Sequence, residues 1–542
     1  MIPASGNGIN GNRFWVNREA AIINRPAGTG ARTANFTVLN PTVMQHIGII
    51  GAGLSGLATA KTFLRAGYRV TLIEKAAAIG GVWEKSRSYH GVATQTTRDE
   101  YAFSDFPMPG DYPLWPSGEQ VQQYLHSYAE HFGILPHIRF NTAVSWLRQE
   151  DGAWLADVTD LLSHQTDTLA FDFMAVCTGT FSTPSIPAFP GAETFRGQIL
   201  HSSQVAGPEV LKNKRVAVVG FAKSATDVAT LAADNATACH LLFRKAQWKV
   251  PRYFGNLINM RYLLFSRFSE AFFNAPRKTA FQKFLHSAGK PMVWMQWRGL
   301  ELLLKKQFNL KACNMLPSHK IEDQISCSLG VAPVGFYEKV KSGAIQAQQT
   351  EIARIDGETI YLTNGAAIQA DLLVCGTGFR QTLHFLDEQY RKHIIGDNGH
   401  FRLFRNIIHP DVPNLGFVGY NSSLFTTLTS EVAANWLLRY AQRSLRLPAP
   451  EQIRDDMAYM DNWRKTGRPI AGEFSGTCVA PFNFMHLDQL MRDMGLRTTA
   501  TRWIPYEFFK PINPKDYRIL LGDSPKEIPR SRTAVRTADA IA

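Results

Sequence analysis

Two stretches of this chain repeat one pattern of apolar and polar positions. In the first, the apolar run Ile47–Ile50 gives way to a glycine-rich turn. Leu57, Ala60, Phe63 and Leu64 then recur at i, i+3 and i+4 spacing, ahead of a second apolar run, Tyr68–Ile73. In the second, Val216–Val219 leads through Gly220 into a helical pattern from about Ser224, followed by His240–Phe243. Short apolar runs alternating with a helical period predict strand–helix–strand units of a parallel sheet. A third pattern, Leu257, Met260, Leu264 and Phe268, has helical spacing and predicts a packing face inside a largely helical insertion at about 250–311. Residues 1–45 are rich in Gly, Asn and Thr with little periodicity and read as an N-terminal extension, and residues 523–542 read as a C-terminal tail.

Composition narrows the class. The most apolar window, 47–60, is too short and too glycine-rich for a membrane span, and Lys61 closes it. No basic segment followed by an apolar run opens the chain, so no signal peptide is expected. With 542 residues, 45% hydrophobic and 19% charged, the chain reads as a soluble globular protein of two or three domains, which excludes global disorder. Its six cysteines (Cys177, Cys239, Cys313, Cys327, Cys375 and Cys478) form no CxxC pair. Neither a disulfide framework nor a metal site is expected, and a reducing, cytoplasmic compartment suits them.

The net charge of +13 is concentrated. Between Arg244 and Lys311 stand 14 Lys/Arg against Glu270 and Glu301 alone, interleaved with 13 aromatics. Such a segment fits nucleic acid, a membrane surface or a polyphosphate cofactor, or else a solvated helical surface with a buried aromatic side.

The first turn carries Gly51, Gly53 and Gly56 in GxGxxG spacing between a strand and a helix, the layout of a dinucleotide-binding unit. The first Gly makes the tight turn, the second lets backbone approach a pyrophosphate, and the third lets helix and strand pack closely. Glu74, 23 residues after Gly51, is placed to accept hydrogen bonds from ribose hydroxyls and would repel a 2′-phosphate. FAD or NAD is therefore expected here rather than NADP.

The second turn places Gly220, Ala222 and Ala225 at the three small positions, with Ser224 opening the helix. Its second strand ends not in an acid but in Arg244 and Lys245, which suit a 2′-phosphate, so NADPH is the expected ligand. A nucleic-acid partner is disfavoured because the basic run lies inside this dinucleotide unit.

Between the two turns lies FRGQILHSSQV, residues 195–205. It resembles the FxGxxxH fingerprint of the class B flavoprotein monooxygenases, which comprise flavin-containing monooxygenases, N-hydroxylases and Baeyer–Villiger enzymes. Val205 stands where an aromatic usually closes the motif, a departure that argues against Baeyer–Villiger enzymes. Gly80-Gly81-Val82-Trp83 matches the family's GGxW segment, which adds Gly81 and Trp83 to the cofactor contacts. TQTTRDEYAFSDFP (94–107) is similar to TNxPKxxMxFxDFP, with Gln95 in place of the usual Asn and Arg98 in place of the Lys. CTGTFSTPSIP (177–187) resembles the segment that leaves the FAD domain. CGTGF (375–379), with Gly378, resembles the strand that returns to it, and SEVAANW (430–436) echoes ELQARW with Asn435 for Arg. The likeness spans roughly 46–520 and is closest to flavin-containing monooxygenases proper.

The resemblance implies an α/β protein with two Rossmann-like dinucleotide-binding domains, an FAD domain at 46–205 and 372–522 with an NADPH domain inserted at 206–371. It implies an enzyme that forms a C4a-(hydro)peroxyflavin and passes one oxygen atom of O2 to a small organic substrate. N- or S-oxygenation is the expected outcome and Baeyer–Villiger oxidation of a ketone the alternative. His201 would organise the crossing near bound NADP, and Gln95 would position the reactive oxygen. Arg98 would favour its anionic form if it points inward, but its match to the family's Lys implies an outward, structural role instead. A disulfide-type flavin reductase would need a CxxxxC close to the first turn, and there is none. Peripheral membrane contact, substrate and oligomeric state stay open.

Overall fold

A computed structural model describes residues 45–325, 330–396, 399–421, 423–466 and 483–522. The tail expected at 523–542, all but the last residue of the extension, and Cys327 and Cys478 lie outside the described residues.

Two five-stranded sheets, each parallel throughout, form the frame. The first runs Leu415–Phe417, Phe173–Val176, His46–Ile50, Arg69–Ile73, Ile138–Arg139. The second runs Gln346–Gln349, Ala238–Phe243, Arg215–Val219, Leu372–Cys375, Gln198–His201. Every strand of the second sheet falls, in chain order, between the fourth and fifth strands of the first. The chain is thus an α/β protein with one dinucleotide-binding domain inserted in another.

The two central βαβ units form as the apolar pattern predicts. The strands His46–Ile50 and Arg215–Val219 each run into a glycine turn and then a helix, Leu54–Arg65 and Lys223–Asn235. In each unit the turn glycine donates to the neighbouring strand: Gly51 N–H to Ile73 O at 2.8 Å, Gly220 N–H to Leu242 O at 2.9 Å. Leu54–Arg65 is buried at ten positions, including Lys61. That lysine is tolerated because Asp105 and Glu431 flank its ammonium at 3.0 and 2.9 Å, and both carboxylates hold its pKa well above the usual lysine value.

Two expectations need correction. The strand leading into CGTGF does not return to the first sheet, because Leu372–Cys375 pairs with Arg215–Val219 and Gln198–His201. Its four residues are all buried, which suits an interior strand of a parallel sheet. The expected boundaries at 205/206 and 371/372 therefore fall several residues inside the second sheet. In the insertion, Met260 is buried but Leu257 is 85% exposed. The expected single face is broken at Phe265–Ser266, where Ser266 caps the short helix Arg267–Glu270 by accepting from Ser269 N–H.

The basic run 244–311 is also less positive in space than in sequence. Arg261 pairs with Glu100, Arg267 with Asp488, Arg277 with Asp456 and Arg298 with Glu322, all acids from outside the run.

Candidate active site

Both glycine turns open into a single cleft of about 1490 Å³. A small-molecule pocket is typically about 300–1,000 Å³, so this space suits more than one ligand.

The first turn is built for close approach. A side chain on Gly56 would put its Cβ 1.8 Å from the Gly51 carbonyl, so helix and turn touch through backbone there. Gly51 and Gly81 both have positive φ, +105° and +59°, conformations that favour glycine. Gly53 faces Gly81 across the turn, and a Cβ on Gly81 would lie 3.0 Å from Gly53 Cα. The helix Leu54–Arg65 has no side-chain cap at Gly53, which leaves its first N–H groups to a ligand. Glu74 is 5% exposed and lines the cleft, and it accepts from Ala52 N–H at 2.6 Å and Ala76 N–H at 2.8 Å. The acid thus braces the turn as well as facing the ribose position. Trp83 lines the same wall and donates its indole N–H to Tyr101 Oη at 2.9 Å.

The second turn copies this geometry. A Cβ on Gly220, whose φ is +120°, would meet the Gly376 carbonyl at 2.4 Å. Ala225 packs against Gly376, the role expected of the third small position. The helix Lys223–Asn235 starts at Ala222, again without a side-chain cap. Ala222, Ser224 and Gly378 line the cleft, and Arg244 and Lys245 stand exposed on its rim. Two uncapped helix N-termini, one beside an acid and one beside two cations, fit an FAD and an NADPH respectively.

Gln95 lies on the cleft wall, half-buried, and its side-chain oxygen accepts from Val331 N–H at 3.0 Å. Arg98 does not join it. The guanidinium donates to the Gly110 and Tyr112 carbonyls, and the residue is absent from the cleft wall, so of its two expected roles the inward, catalytic one is corrected and the outward, structural one remains.

His201 is fully buried behind the wall formed by Ser202, Ser203 and Gly378. Its Nδ1 accepts from Ser203 N–H at 3.2 Å, which leaves the proton on Nε2 to be donated to Gly378 O at 2.9 Å. Burial lowers its pKa from the usual histidine value and keeps it neutral. The ring ties the crossing segment to the loop that ends the Leu372–Cys375 strand. Gly197 is required by proximity, because a Cβ there would meet the Asp371 carbonyl at 2.3 Å.

Sequence reasoning missed Lys249, which is 2% exposed and yet lines the cleft, and the bond from Tyr89 Oη to Asp227 at 2.6 Å that ties the first domain to the second glycine helix. A single lysine set in the apolar strand context of Trp248 and Val250 is the signal that was available. Among the described residues, no cluster of His, Cys, Asp and Glu could hold a metal ion, and no helix is long and apolar enough to cross a membrane.

Comparison with known proteins agrees with this geometry. The model of the flavin-binding monooxygenase-like family matches residues 44–473. The probable flavin-containing monooxygenase 1 of Arabidopsis thaliana is 30% identical over 531 residues, 89% of this chain and 97% of that protein. The dimethylaniline monooxygenase [N-oxide-forming] 2 of Oryctolagus cuniculus is 25% identical, over 88% of this chain and 89% of that one. Among solved structures, an oxidised steroid monooxygenase bound to NADP superposes with a TM-score of 0.60 at 18% identity, over 82% of this chain and 96% of that one, and so shares the fold. The chain belongs to the flavin-binding monooxygenase-like family and is a flavin-dependent monooxygenase that uses FAD and NADPH.

Proposed function

We propose that the enzyme oxygenates a nitrogen or sulfur atom of a small organic substrate. When bound, NADPH supplies hydride to FAD, and the reduced flavin activates O2. The chain's own residues do the rest. Gly51, Gly53, Gly56 and Gly81 bring backbone against the FAD pyrophosphate, Glu74 takes the ribose hydroxyls, and Trp83 walls the site. Gly220, Ala222, Ser224 and Ala225 receive NADPH, with Arg244 and Lys245 on its 2′-phosphate. His201 fixes Gly378 and the crossing segment, and so the spacing of the two cofactor sites.

The observation that carries the oxygenation class is the position of Gln95. A neutral amide lines the cleft with its oxygen already engaged, so its NH2 is the donor it offers there. Arg98, the cation nearest in sequence, is turned away. A neutral donor suits transfer of an electrophilic oxygen to a lone pair. The rabbit relative named for N-oxide formation supports the same class. Insertion of oxygen beside a ketone carbonyl is the second reading, and the cation Lys249 on the cleft wall is what favours it. Products of an amine, sulfide and ketone panel, identified by mass, separate the two. The four described cysteines are free and buried, which suits a reducing compartment such as the cytoplasm.

A further inference from the structure

Lys249 stands on the two-residue strand Lys249–Val250, paired with Gly330–Val331, and Val331 is the residue that bonds Gln95. Its ammonium lies 5.2 Å from the centre of the Phe221 ring, inside the second glycine turn. A Cβ on Gly330 would come within 3.5 Å of it. Lysine buried to this degree on a cleft wall has a specific electrostatic requirement.

The charged groups that act on it are Lys223 and Asp227 on the second glycine helix. Asp227 in turn meets Tyr89 from the first domain and feels Arg252, just beyond the Lys249 strand. Asp227 already accepts from the Tyr89 hydroxyl at 2.6 Å and from the Lys223 ammonium. One carboxylate therefore serves more cations than it can neutralise. A buried charge without its counter-charge is costly, and a cleft-facing position lets a ligand supply it. The uncapped N-terminus of Lys223–Asn235 opens on the same wall, and the anion that NADPH brings to such a turn is its pyrophosphate.

We propose that Lys249 is a contact for NADPH, its ammonium taking an oxyanion of the dinucleotide pyrophosphate while its strand pair holds Gln95 in place. This rests on the cofactor assignment and withdraws the Lys249 charge from the ketone reading, while its test reads binding alone. Burial and the neighbouring Lys223 lower the Lys249 pKa to about 7, with Asp227 opposing. An oxyanion at the ammonium favours the charged form, so binding above pH 7 takes up a proton.

The test is calorimetric titration of NADP⁺ into the FAD-loaded protein between about pH 7.5 and 9, in buffers of different ionisation heat. The 2′-phosphate, with a second pKa near ~6, is already fully charged there. The expected result is uptake approaching one proton per NADP⁺ and an affinity that falls about tenfold per pH unit. Lys249→Met should bind NADP⁺ about ten- to a hundred-fold more weakly at pH 7, without proton uptake. Lys249→Arg should keep the affinity and lose its pH dependence. Adenosine 2′-monophosphate, which lacks the pyrophosphate, should bind wild type and Lys249→Met alike. Absence of proton uptake in the wild type, or NADP⁺ binding by Lys249→Met equal to wild type, overturns the proposal. The wild-type arm needs no variant to fold, and no arm requires turnover.

Discussion

The backbone N–H of Val331 donates to the side-chain oxygen of Gln95 at 3.0 Å, joining residues 236 positions apart. The bond fixes which end of the amide faces the cleft. It also makes the NADPH domain a support for a residue of the FAD domain, so the site is complete only when both sheets are in place.

Gln95→Leu removes the cleft donor and leaves Val331 N–H unpaired. A lost donor at a buried site costs about 1–3 kcal/mol, roughly 5–150-fold in rate. Product formed per NADPH consumed should fall severalfold with hydrogen peroxide rising, measured by paired product and peroxide assays. Arg98→Ala is the contrast. It should keep that ratio and instead cost about 1–3 kcal/mol of stability, because the Gly110 and Tyr112 carbonyls lose a charged donor.

What was legible beforehand follows from how local each feature is. A glycine turn between a strand and a helix obeys rules of a few residues, so Gly51–Gly56 with Glu74, and Gly220 with Arg244, could be placed from spacing alone. The outward direction of Arg98 is implied by its match to the family's Lys, whereas its partners, carbonyls 12 and 14 positions away in a loop with no period, are not legible. Lys249 is buried by Phe221 and Gly330, which meet only once the insertion has folded back. The sheet that takes the Leu372–Cys375 strand is not legible, because it and Phe173–Val176 occupy equivalent places, each an interior strand beside the one that runs into a glycine turn.

Cofactor preference should reside at the end of the Ala238–Phe243 strand. Arg244→Ala loses a charge-assisted contact of about 1.5–3 kcal/mol, roughly ten- to a hundred-fold in NADPH affinity, with NADH binding unchanged. Equilibrium titration of both nucleotides checks it, and an unaltered preference would remove Arg244 from the 2′-phosphate site.

The protein should be acid-labile. Burial lowers the pKa of His409 and His486 to about 4 each, and that of His201 in the same direction. The unfolded chain protonates these rings near 6.5 and the native one only at lower pH, so the unfolded state holds more protons in between. Their stability is present above about pH 6.5 and is lost as pH falls toward 4, by up to about 1.4 kcal/mol per ring and pH unit. Thermal unfolding of the FAD-loaded protein from pH 8 to 5 should show this slope, and His486→Gln should flatten it.

The central claim is heteroatom oxygenation in a cleft that joins the two dinucleotide sites, and one measurement addresses it directly. The FAD-loaded enzyme is given NADPH and O2 with matched tertiary amines and sulfides on one side and cyclic and linear ketones on the other. Products are scored by mass, because uncoupled turnover also consumes NADPH. The account predicts N- or S-oxides carrying one oxygen atom from labelled O2, and little or no ester or lactone. Esters or lactones from the ketones with no N- or S-oxide would contradict it.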